Sequence, residues 1–276
     1  MKGFLLTYRV LNIKQWTKNL LIFIPLIFAE SYQSISSKPL LLIAVFSFCL
    51  LTSAIYLLND IIDLEDDKNH ITKRNRPLAS GEISKKQSII CLIILLVFGC
   101  VGLTFYSSIA LFLGLAYVIN NLIYSFWLKK IPFLDLILLL IGYSIRLLLG
   151  GVISHAPLTT WLFTIILVVA TYLIAYKRKS DVLLNKSNPR TKFYKKINTS
   201  FVIKVLTIVI ISLYACYIIF EFFLKKNSIL SLFTIPLAAT GLYLYYKSMT
   251  RNPHQDPLDV LLKNKLFFIC VLNLNI

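Results

Sequence analysis

Residues 40–67 read LLLIAVFSFCLLTSAIYLLNDIIDLEDD. Nothing from Leu40 through Asn59 carries a charge, and then Asp60, Asp63, Glu65, Asp66 and Asp67 arrive together. A helix needs about 20 apolar residues to cross a bilayer. The stretch therefore predicts a transmembrane helix over 40–60 whose last turns leave the hydrocarbon. Asp60, Asp63 and Asp67 are three and four residues apart, a spacing that stacks side chains on one helical face. Asn59 joins that face through its i,i+4 relation to Asp63. Glu65 and Asp66 point elsewhere.

The rest of the chain repeats the apolar pattern. It has 276 residues, of which 58% are hydrophobic and 15% charged, and its mean hydropathy is +0.76. Soluble domains run at about 45–50% apolar and about 25% charged, so the excess belongs in lipid. Further spans are predicted near 17–34, 87–106, 108–127, 132–151, 158–177, 200–222, 229–247 and 259–276. The expectation is an all-α polytopic bundle of about nine transmembrane helices, forming a single membrane domain over 1–276. Alternating strand patterns of outer-membrane type are absent. The first apolar run lacks a small-residue cleavage site and reads as a retained span. Cys49, Cys91, Cys100, Cys216 and Cys270 all lie in apolar runs, without metal or disulfide spacing, and read as small fillers.

The net charge is +17. It sits in short loops between apolar runs, which favours anionic lipid and phosphate ligands and argues against nucleic acid. Of the 29 Lys and Arg, Lys38, Lys225 and Lys226 fall on one side and Arg146 falls inside a span. All others lie in the N-terminal segment and in alternate connections. By the positive-inside rule those segments face the cytoplasm. The expectation is a multi-pass protein of the cell (inner) membrane, with its N-terminus and active face cytoplasmic.

Three carboxylates on one face repel one another unless a cation sits between them. Hard oxygen donors suit Mg²⁺, which commonly bridges to a substrate's phosphates. The bland alternative is a solvated helix end. The next segment, Thr72-Lys73-Arg74-Asn75-Arg76-Pro77-Leu78-Ala79-Ser80-Gly81, tips the balance. Metal-binding carboxylates followed by Lys73, Arg74 and Arg76 make a clamp for a diphosphate. Pro77 and Gly81 predict a shaped loop. The positive-inside rule explains the charge of this segment but not its pairing with the carboxylates.

At these residues the sequence resembles the UbiA superfamily of intramembrane prenyltransferases. The signature N-D-x-x-D-x-x-x-D is matched at every fixed position by Asn59, Asp60, Asp63 and Asp67. Within the superfamily it looks most like the decaprenyl-phosphate phosphoribosyltransferases. Further segments carry this narrower resemblance: Gln15-Trp16-Thr17-Lys18-Asn19, Asn121-Leu122-Ile123-Tyr124-Ser125, Arg146 with Gly150, Lys177-Arg178, and Asp256-Pro257. The resemblance implies a helical bundle around a cavity open to the cytoplasm. It also implies Mg²⁺-dependent transfer of a phosphoribosyl group from phosphoribosyl diphosphate to a polyprenyl phosphate lipid, in cell-envelope polysaccharide synthesis. Prenyl-diphosphate users carry a second cluster, D-x-x-x-D, after the sixth helix. Here that position reads Tyr176-Lys177-Arg178-Lys179-Ser180-Asp181, which suits a substrate with additional phosphates.

The roles expected on this reading are these. Asp60, Asp63 and Asp67 hold the metal and are the catalytic set, with Asn59 orienting the site. Lys73, Arg74, Arg76, Lys177 and Arg178 bind phosphates. Lys18, beside Trp16, meets the lipid phosphate or serves as an interfacial anchor. Arg146, a charge within a span, is a functional hypothesis by default; it either faces the cavity or pairs with Asp135 or a carbonyl. Asp181 assists metal or ribose binding, and Tyr124 and Asn121 line the cavity or serve helix packing. His70 reads as a solvated loop residue. The rival readings are prenyl transfer to an aromatic acceptor and, from another class, a transporter or lipid scaffold.

Overall fold

The computed structural model describes residues 2–28, 39–70, 73–128, 131–155, 158–183, 189–224, 229–251 and 260. The expected span over 259–276, Asp256-Pro257, Thr72 and Lys129-Lys130 lie outside the described residues, apart from Val260. No strand occurs among the described residues. Among the described residues, seven helices are long and apolar enough to cross a membrane: Pro39–Ile62, Lys85–Tyr106, Ser108–Leu128, Leu134–Ser154, Thr160–Leu183, Thr199–Phe223 and Ile229–Arg251. They coincide with seven of the nine expected spans. Their outer faces display residues that water would not tolerate, such as Phe105 at 73%, Phe112 at 69% and Phe223 at 77% exposure. A protein that shows such faces is a multi-pass membrane protein.

The chain divides into two compact units, Met1–Trp127 with Ile141–Leu158, and Leu128–Leu140 with Thr159–Ile276. In the first unit, α1 (Lys2–Val10) ends at Asn12, which takes a left-handed backbone with φ 50°. Asn tolerates that conformation better than most residues. A 3₁₀ stretch, Ile13–Phe23, then leads into the short α2 (Ile24–Phe28). The expected first span over 17–34 is thus not one α-helix over its described part. Pro25 sits in the first turn of α2, where its missing N–H is harmless, but it cannot continue a helix arriving from behind.

α3 (Pro39–Ile62) is the centre of the first unit. Leu41, Ala44, Phe48, Leu51 and Ile55 recur every three or four residues, and all are buried. α5 (Lys85–Tyr106) lies directly against it. A Cβ on Gly102 would come 1.9 Å from Ser47 Oγ, so only glycine permits this approach. Ser84 and Gln87 form a reciprocal capping box at the start of α5, as the sequence Ser-x-x-Gln allows. α6 (Ser108–Ile123) packs on both and ends in a π-helical turn, Tyr124–Leu128. α7 (Leu134–Ser154) contributes Ile145, Leu149 and Ile153 to this core.

In the second unit, α8 (Thr160–Leu183), α10 (Thr199–Phe223) and α11 (Thr234–Arg251) share a core around Tyr172, Tyr176 and Tyr245, with ring centroids 5.0–5.8 Å apart. α9 (Pro189–Lys196) is short and basic. α8 runs past the boundary expected near residue 177. Lys177, Arg178 and Asp181 therefore sit on a helix and not on a connection after it. The helix continues because the charge of Arg178 is neutralised inside the unit.

Candidate active site

The acidic end of α3 is where charge concentrates in the first unit. The helix breaks at Asp63 (φ −90°, ψ 10°), and α4 (Leu64–Lys68) resumes beyond it. Helical hydrogen bonding crosses the break, from Asp63 N–H to Asn59 O at 2.9 Å and from Asp67 N–H to Asp63 O at 2.8 Å. Asp60 and Asp67 are buried, at 7% and 1% exposure, while Asp63 is half-buried. Among the described residues no group of three His, Cys, Asp or Glu side chains stands close enough to hold a metal. The expected single face of three carboxylates is therefore realised as a buried pair, with Asp63 at the kink.

The basic loop folds back over that pair. Arg76 Nη1 donates to Asp60 Oδ1 at 2.8 Å and to Asp67 Oδ2 at 2.6 Å. Lys73 Nζ lies 3.3 Å from Asp67 Oδ1, an oxygen that accepts no hydrogen bond. The loop is a 3₁₀ turn, Lys73–Asn75, followed by turns that close at Gly81 with φ 80°, a conformation glycine adopts freely. Arg9 anchors it from α1 through an ion pair with Glu82 at 2.8 Å and a hydrogen bond to Asn75 O. Arg74 is exposed. His70 is half-buried, and its Nδ1 accepts the Lys73 N–H at 3.3 Å, so it shapes the loop.

A polar stripe on α3 extends the site into the unit. Ser125 Oγ donates to Asn59 Oδ1, a contact that the π-helical turn makes possible; Tyr124, half-buried, opens that turn. Lys18 Nζ donates to Tyr56 OH at 3.2 Å, about one turn before Asp60, and Trp16 Nε1 donates to Ser53 Oγ at 2.8 Å. Both side chains are half-buried and turned onto α3. Asn12 brings its side chain within hydrogen-bonding reach of Asp60. Ser53 and Tyr56 were not singled out from sequence, although polar residues at helical spacing inside an apolar run are a readable signal.

Arg146 is buried and fully engaged. It donates to Asn19 Oδ1 at 3.0 Å, to Gly142 O at 2.8 Å and to Tyr117 OH at 3.1 Å. Its carbonyl partner is the one alternative from sequence that the structure selects. Asp135 is taken by Arg178 instead, at 2.7 Å. Asn121 donates to the Tyr117 carbonyl within its own helix at 2.8 Å.

In the second unit, Arg178 also pairs with Asp181 at 3.1 Å and stacks over the Tyr194 ring, 5.9 Å from its centroid. Tyr194 OH donates to Asp135 Oδ1 at 3.2 Å. Burial, reinforced by the Asp135 carboxylate, pushes the Tyr194 phenol up and keeps it a donor. Arg178 and Asp181 are thus internal partners of each other, while Lys177 is exposed.

A buried carboxylate pair bridged by a loop arginine thus stands at the end of a membrane-spanning helix. Residues 19–271 match the UbiA prenyltransferase family, and the chain belongs to that family. The decaprenyl-phosphate phosphoribosyltransferase of Mycolicibacterium smegmatis is 30% identical over 76% of this chain and 68% of its own length. That of Corynebacterium glutamicum is 29% identical over 64% of this chain and 55% of its own length. The uncharacterized protein y4nM of Sinorhizobium fredii is 30% identical over 64% of this chain but only 34% of itself. The match thus spans about a third to two thirds of these relatives' lengths. Among solved structures, a UbiA homolog from Archaeoglobus fulgidus bound to DMAPP and Mg²⁺ superposes with a TM-score of 0.75 at 17% identity. That likeness covers 97% of this chain and 96% of the homolog, and it establishes the fold.

Proposed function

We propose that this chain is a single transferase domain that moves a 5-phosphoribosyl group from phosphoribosyl diphosphate to a membrane polyprenyl phosphate, releasing diphosphate. The observation that carries the reading is the Asp60–Asp67 pair beneath Arg76 and Lys73. The family's metal fits these residues. Mg²⁺ is typically bound by one or two carboxylates together with substrate phosphates. Asp67 Oδ1, buried and accepting no hydrogen bond, is a donor atom of the right kind. Asp60 and Asp67 would hold the ion, with Asp63 at the kink next to them. When bound it supplies charge neutralisation at the departing diphosphate.

The chain's own groups do the rest. Arg76 and Lys73 reach the diphosphate oxygens, and Arg74, exposed on the same loop, adds charge at its entrance. Donors fixed in advance stabilise the charge that grows on the leaving group without reorganising. Asn59, held by Ser125, orients the end of α3. Lys18 sits near Asp60 and offers a cation to the acceptor's phosphate. That phosphate has a second pKa near 6, so it is largely dianionic and attacks without a strong general base. The relatives' names favour phosphoribosyl diphosphate as donor, and the Lys and Arg asymmetry favours a cytoplasmic active face in the inner membrane.

The test is radiolabelled phosphoribosyl diphosphate given, with polyprenyl phosphate, to inverted and right-side-out vesicles. Labelled glycolipid is expected in the inverted vesicles alone. Transfer of a prenyl chain to an aromatic acid, with no glycolipid, would overturn the choice of substrate; label incorporated in right-side-out vesicles would overturn the orientation.

A further inference from the structure

We propose that Arg76 is the resident counter-ion of the Asp60–Asp67 pair, holding the place between the carboxylates until a divalent cation and a diphosphate arrive, and then turning onto the diphosphate. This rests on the function proposed above and adds a control device to the same site. One nitrogen, Nη1, contacts both carboxylates, at 2.8 and 2.6 Å. An ion that bridges Asp60 Oδ1 and Asp67 Oδ2 would take the position that nitrogen occupies. Arginine stays protonated, so it cannot give up its charge there and has to move.

The side chain is free to do so without its backbone. Its side chain is 35% exposed, against 2% for that of Asp67. Arg76 N–H is held by Lys73 O at 2.9 Å, and Arg76 O accepts from Ser80 N–H at 2.8 Å. Rotation about the side-chain bonds leaves these intact, and the freed fork matches a diphosphate bidentately. Arg76 therefore competes with the metal when no diphosphate is present and cooperates with it when one is. Such coupling is reciprocal between the two ligands.

The experiment measures Mn²⁺ binding to the purified protein by electron paramagnetic resonance, with and without methylene diphosphonate. Arg76→Lys keeps the charge on a side chain one bond shorter, which stops short of the point between the two carboxylates and lacks the fork, and Arg76→Gln removes the charge. Without diphosphonate, both variants should bind Mn²⁺ more tightly than wild type, on the order of tenfold, the scale on which neighbouring groups alter metal affinity. Adding diphosphonate should tighten Mn²⁺ binding in the wild type and much less in the variants. If Arg76→Lys binds Mn²⁺ as wild type does, charge alone is acting and the displacement idea is wrong, while the metal site stands. Equal binding by wild type and Asp67→Asn would remove the metal site itself, and with it both readings.

Discussion

Arg178 shows how far a residue's role depends on partners that spacing does not reveal. In sequence it stands in a basic run and reads as a phosphate ligand. In the fold, its side chain is 3% exposed and its guanidinium pairs with Asp135 and Asp181. Breaking a buried pair leaves the remaining charges uncompensated, at a cost of about 3–5 kcal/mol. Arg178→Met should therefore lower thermal stability in detergent sharply, and Arg178→Met with Asp135→Leu should recover part of the loss. A variant as stable as wild type would contradict the pairing. The acidic cluster was more legible, since Asp60 and Asp67 do meet at Arg76. The kink at Asp63 was not, because i,i+3 and i,i+4 arithmetic assumes an unbroken helix.

At the scale of elements, the contact of α3 with α5 organises the first unit. Gly102→Ala places a methyl 1.9 Å from Ser47 Oγ, and overpacking of this kind costs about 1–3 kcal/mol. Ser47 Oγ otherwise only donates to Ile43 O in its own helix, at 2.7 Å. Ser47→Gly should therefore rescue much of the damage, and a double-mutant cycle on melting temperatures measures the coupling. Additive losses would contradict the close approach. Seven spans were readable because bilayer thickness imposes a length that apolar runs must meet. The start of the chain was not, since the left-handed turn at Asn12, the 3₁₀ stretch and the fresh start at Pro25 break the period on which a helix is read. The continuation of α8 to Leu183 was hidden for the same reason as Arg178's role: the charge of Arg178 is met by Asp135, far away in sequence, as well as by Asp181.

For the whole molecule, lipid-facing surfaces and a net charge of +17 describe a membrane protein whose basic loops offer anions a place to bind. On the proposed function, what the loops bind is decided at one point, the carboxylate pair and the cations over it. The most direct measurement is turnover of phosphoribosyl diphosphate by the protein reconstituted in nanodiscs with polyprenyl phosphate, titrated with Mg²⁺. Wild type should show turnover that saturates with Mg²⁺ and vanishes on chelation. Asp67→Asn should lose activity on the order of 10²–10³-fold, the scale of removing one preorganised electrostatic group. Turnover that persists in chelator, or an Asp67→Asn variant that keeps wild-type activity, would contradict a site built on Asp60 and Asp67.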